Sequence, residues 1–190
     1  MNRYATTVRR WWAVPPALLV FVLVCRTAGD IEVPVPSING AADGARLDLF
    51  APLIVVAAAM YCLDRRLPDA EATAVVPVRL LDGAALLLTT TLTQLTAPLV
   101  GQAVTRNVAL LLAVAVLARK LAHEATATLA ALATLLLTLL AGRPQAWWAL
   151  PLYPPGSLTA WLATATLFGS ALWSTTARRP RDCVPVTRPD

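Results

Sequence analysis

Long stretches without a single charged side chain limit this chain more than any motif does. Trp11–Cys25 is one, Leu49–Leu63 a second and Gly83–Thr105 a third. Asn107–Ala118, Ala125–Gly142 and Pro144–Ala177 complete the set. A soluble domain spreads its charge so that every element has a polar face, whereas a bilayer-crossing helix needs about 20 consecutive, mainly apolar residues. Only 14% of the residues here are charged, against about 25% in an ordinary soluble domain. The question therefore becomes how many spans the chain makes.

The blocks predict an all-α polytopic membrane protein, a bundle of about six helices, as one transmembrane domain over residues 1–177 with a short basic tail at 178–190. The expected spans are about 11–27, 48–63, 80–98, 101–121, 124–142 and 157–176. The first block follows Arg9-Arg10 and has the length of a signal-peptide core. Further apolar blocks follow it, not a soluble mature domain, so it is read as a retained span. The fourth block has only 12 uncharged residues. It reaches span length from near Val100 to Leu121 if Arg106 and Arg119 snorkel to opposite interfaces. The boundary between spans three and four is the least defined.

Basic residues orient the bundle, because cytoplasmic loops carry the excess of Lys and Arg. With six spans and both termini cytoplasmic, twelve of the 16 basic residues lie inside. Arg26, Arg46, Arg106 and Arg143 lie outside. Omitting the fourth span would put the cluster Arg178, Arg179 and Arg181 on the wrong side.

The outer loop Arg26–Asp48, with "VPVPS" and "NGAADG", reads as extended chain and then a turn. The inner connector Asp64–Arg79 has Pro68 and Pro77 around a stretch with Asp69 and Glu71 in its first turn, which suits either a short helix or a solvated link. The segment "RPQAWWALPLYPPGS" is too short and too broken by proline to span. It can lie in the outer interface or dip in and return. Its "WWALP" resembles "WWAVP" at 11–15, and both read as interfacial tryptophan anchors on opposite sides.

Inside the spans, Ala85, Thr89, Thr93, Ala97 and Gly101 recur every four residues, as do Thr126, Ala130, Thr134, Thr138 and Gly142. Such stripes let helices approach closely. A polar pathway through Thr89, Thr93 and Gln94 is the sharper alternative. Arg79 and Asp82 read as an interfacial pair, and no acid falls near a midplane, which argues against a self-powered secondary transporter.

No catalytic constellation is visible. Ser170 has no intramembrane histidine to activate it, and His123 is the single histidine. Cys25, Cys62 and Cys183 have no metal-ligand spacing, and Cys25 and Cys62, inside apolar blocks, read as small buried apolar residues. No cofactor, metal or enzymatic activity is expected. The charge is scattered along the chain, so the partner it implies is the bilayer and not nucleic acid.

This arrangement resembles the membrane subunit of an ABC-2 type exporter, of the kind found in actinobacterial drug and peptide export. The resemblance is one of topology: six spans, both ends inside, a connector after span two, a broken aromatic segment before span six. It implies a permease in a bacterial plasma membrane, working with a separate ATPase subunit and a homo- or hetero-oligomeric membrane partner. It places the ATPase contact on Arg65, Arg66, Asp69 and Glu71, and the outer re-entrant segment on Trp147, Trp148 and Tyr153. A non-transporting accessory, immunity or assembly subunit and a small membrane enzyme are the other classes.

Overall fold

A computed structural model describes residues 10–34, 44–64, 78–121, 126–141 and 148–176. Among them the chain is mostly helical, as an all-α class requires. A 3-10 turn at Trp11–Ala13 runs into α1, Val14–Ala28, with Pro15 and Pro16 in the first helical turn, where no amide is needed for the ladder. A short antiparallel ribbon follows, β1 Glu32–Pro34 with β2 Gly44–Arg46, in the register Glu32 to Arg46. The sequence promised extended chain there; its pairing adds one small β element to the helical fold. Arg46 holds the base of the ribbon through Asp30 at 2.6 Å and Asp48 at 3.1 Å.

A second 3-10 turn, Leu47–Leu49, leads into α2, Pro52–Asp64. Then come α3 Val78–Leu95, α4 Ala97–Val100, α5 Gln102–Leu121 and α6 Thr126–Ala141. A 3-10 turn at Leu150–Leu152 precedes α7, Leu158–Thr176. Ser157 caps α7 by accepting the amide of Ala160 at 3.4 Å.

The ambiguous boundary falls in two steps. Thr96 Oγ1 donates to the Thr93 carbonyl at 2.7 Å as α3 ends, and Pro98 opens the single turn of α4. Gly101 then turns the chain with φ +97°, a conformation that side-chain-bearing residues rarely adopt. The third helix thus stops at Leu95, short of the expected 98, and α5 starts at Gln102.

Helix α5 is the axis of the molecule. It packs against α2, α3, α4, α6 and α7. Every residue from Val104 to Ala113 is buried, so the helix has no outward face there. Two apolar clusters flank it. One joins Val56, Met60, Leu86, Leu111, Leu112, Ala131, Leu135 and Ala171, and the other joins Val14, Leu18, Phe21, Val55, Val104 and Val108. Ala109, Ala113 and Ala115 on α5 allow the close approach.

Two helical stretches, Trp11–Ala28 and Leu47–Asp64, have 18 residues and are apolar enough to cross a membrane. Leu80–Leu95 and Thr126–Leu140 are apolar but shorter. Helix α5 has 20 residues, yet it carries Arg106, Asn107, Arg119 and Lys120. The helical class therefore stands, while six crossings go beyond what length and hydropathy establish.

Candidate functional site

The polar centre of the molecule lies in the second turn of α5. Arg106 and Asn107 are both 0% exposed. Snorkelling was expected of Arg106; it turns inward. Its guanidinium donates from Nη1 to the Pro154 carbonyl at 3.1 Å and from Nη2 to the carbonyls of Tyr153 at 2.8 Å and Leu150 at 3.2 Å. Asn107 Nδ2 donates to the Pro151 carbonyl at 3.1 Å. Two adjacent side chains thereby gather four carbonyls of the segment before α7.

That segment needs such donors. Pro151, Pro154 and Pro155 have no amide proton, and a 3-10 turn leaves its last carbonyls without partners in the chain. Within it, the Leu152 amide bonds Ala149, the Tyr153 amide bonds Leu150 and the Ser157 amide bonds Pro154. Trp161 Nε1 takes the Pro155 carbonyl at 3.1 Å. Arg106 and Asn107 supply most of the remainder. Arginine suits the task because its planar fork presents five donors, whereas lysine offers a point charge.

The site is not fully satisfied. No carboxylate lies within ion-pairing distance of Arg106 among the described residues, so its charge is balanced by carbonyl dipoles. Arg106 Nε and Asn107 Oδ1 are buried without a hydrogen-bond partner. Buried polar atoms without a partner are costly, so the spot is sensitive to change.

The expected polar face of α3 meets this centre. Gln94 Nε2 donates to the Thr105 carbonyl at 3.2 Å, one residue before Arg106. Thr89 and Thr93 are buried and bond their own turn, to Ala85 and Thr89 at 2.8 Å each. The stripe on α6 behaves alike, with Thr134 bonding Ala130 and Thr138 bonding Leu135. Tyr153 contributes its carbonyl to the Arg106 clamp, and Trp148 is half-exposed. Trp147, the connector residues Arg65, Arg66, Asp69 and Glu71, and His123 lie outside the described residues.

At the other end of α5, Arg119 Nη2 donates to the Leu63 carbonyl at 2.6 Å, and its Nε lies 3.5 Å from Asp64. This arginine ties α5 to the end of α2 near the connector. Arg10 stacks on the Tyr61 ring, 5.9 Å from its centroid, and donates to its hydroxyl. Cys62 is buried and its thiol bonds the Arg10 carbonyl at 3.3 Å. Ser170 bonds the Leu167 carbonyl in its own helix. No group of three or more His, Cys, Asp and Glu side chains that could hold a metal ion occurs among the described residues.

Sequence reasoning overlooked Arg106 and Asn107 as a unit because it assigned the arginine to the interface. The signal was present: two consecutive polar residues inside an otherwise apolar helix are expensive, and such residues face a partner. No family model, no curated protein and no solved structure matches this chain.

Proposed function

We propose that the chain is a multi-pass membrane protein of six spans with both termini cytoplasmic, serving as the permease subunit of an ABC-type exporter that works with a separate ATPase. The observation that carries the membrane part is the number of large apolar side chains on the outside of a fold that seals a polar patch within. Arg106, Asn107, Thr93 and Thr105 are sealed inside, while large apolar side chains face outward, including Leu121 at 90% and Trp173 at 76% exposed. Water would make that arrangement aggregate, whereas hydrocarbon favours it. The exporter role is supported by chain order: a broken aromatic segment precedes the last helix, and α5 holds it through the Arg106 clamp.

The hydroxyls of Thr89 and Thr93 are engaged with their own helix, which favours a second role, a non-transporting accessory subunit. Purification in mild detergent separates the two. An exporter subunit brings out a protein with nucleotide-binding motifs, and alanine substitutions across Asp64–Arg79 abolish both that association and export. If no ATPase follows the protein and those substitutions change nothing, the exporter role is wrong and the accessory role stands.

A further inference from the structure

The outer half of α1 borders a groove of about 420 Å³. It is open and shallow, lined by Leu18, Leu19, Val22 and Leu23 from one face of α1 together with Thr96, and Arg26, toward the end of that helix, marks its mouth. We propose that this groove seats one acyl chain of a phospholipid with an anionic headgroup, whose phosphate rests on Arg26. The inference relies on the membrane-spanning part of the proposed function and not on the exporter role.

Three observations select this occupant. First, the groove is graded. Leu18 and Arg26 are eight residues apart, about 12 Å along a helix, close to the roughly 15 Å of hydrocarbon in one leaflet. The apolar face of α1 thus runs along the depth an acyl chain occupies, and the cation stands where the headgroup begins. Second, Arg26 has no hydrogen bond or ion pair among the described residues, whereas the next outer cation, Arg46, is held by Asp30 and Asp48. An unpaired guanidinium beside hydrocarbon fits a phosphate, which it can bind with two parallel hydrogen bonds. Third, Thr96 already donates its hydroxyl proton to the Thr93 carbonyl, so Arg26 is the donor at the mouth and the headgroup's charge decides the fit. A peptide helix of a second copy would find one cation but no wall for polar side chains.

The test is native mass spectrometry of the full chain from detergent, titrated with phosphatidylglycerol or with phosphatidylcholine of the same acyl chains. Phosphatidylglycerol should be retained about tenfold better, equal to about 1.4 kcal/mol. Arg26→Gln should abolish the preference while leaving chain binding, and Arg26→Lys should keep part of it. Val22→Trp should fill the groove and remove binding of both lipids. Arg46→Gln, an outer charge away from the groove, should leave the preference intact. Equal retention of the two lipids overturns the inference, and so does an unaltered preference in Arg26→Gln or unaltered binding in Val22→Trp. A lipid-free dimer that Val22→Trp converts to monomers assigns the groove to a second copy and also overturns it. Circular dichroism checks that each variant keeps its helices. Should the protein stay dispersed without detergent, the membrane reading itself fails; if it needs detergent yet shows no lipid preference, only the groove assignment fails.

Discussion

Arg106 illustrates how a single side chain can decide the cost of a whole segment. Arg106→Ala removes three hydrogen bonds from a charged donor, although the Leu150 and Pro154 carbonyls keep the amides of Tyr153 and Ser157. At about 1.5–3 kcal/mol for each hydrogen bond to a charged group, the loss should exceed about 3 kcal/mol, read as a lowered midpoint of thermal unfolding in detergent. Arg106→Lys should recover less than half, because an ammonium cannot span the fork. Asn107→Leu should behave differently. It strands one carbonyl but also removes the unpartnered Oδ1, and these effects of about 1–3 kcal/mol each offset one another. A large loss for Asn107→Leu would mean that Oδ1 has a partner, such as a buried water. The clamp also makes a local prediction: with the native cysteines replaced, Trp148→Cys should react faster with a maleimide in the Arg106→Ala background. Composition placed Arg106 at the end of an apolar block, but a linear chain does not tell whether a long side chain there reaches out to the headgroups or back into the bundle.

Among the elements, the reversal from α3 to α5 and the packing of α5 bear most weight. Gly101 sits at φ +97° with open space around a hypothetical Cβ, so the penalty for Gly101→Ala comes from the backbone alone. That should cost about 1–3 kcal/mol, seen as a drop in the thermal midpoint with helix content unchanged. A larger loss with lost helicity would place the cost in packing instead. On α5, Ala113 is fully buried within the larger apolar cluster. Ala113→Leu should overpack the axis and destabilise by about 1–3 kcal/mol, whereas the same exchange on an exposed helix face should be nearly neutral. Helices as such were legible from the charge-free blocks. The stop at Leu95, the separate turn of α4 and the pairing of Glu32–Pro34 with Gly44–Arg46 were not, because each depends on where neighbouring chain lies.

Among the described residues the molecule is an axis helix packed by others, with a polar patch around Arg106 set between two apolar clusters and many large apolar side chains outside. The proposed membrane orientation is testable apart from the proposed function. Reporters fused to either terminus should both show a cytoplasmic location. Asp30→Cys, in a background without Cys25, Cys62 and Cys183, should be labelled by an impermeant maleimide added to intact cells, since that side chain is 96% exposed beside the ribbon. Labelling only after lysis would reverse the assignment of loops and would move the Arg106 clamp to the cytoplasmic side.

By itself the sequence determined that the chain is helical, where most of its apolar segments lie and which loops carry positive charge, because these follow from local composition and from the solvent each segment prefers. It also made the proline-rich segment before α7 conspicuous, since such a run can form neither a span nor an ordinary loop. Only the tertiary structure decided that α5 is the axis, that Gln94 and Arg106 belong to one polar centre, and that the carbonyls from Leu150 to Pro154 are its acceptors. Those pairings join residues up to 48 positions apart. Hydrogen bonds of that kind form between whichever groups the packing of helices brings within about 3 Å, and no periodicity along the chain records it.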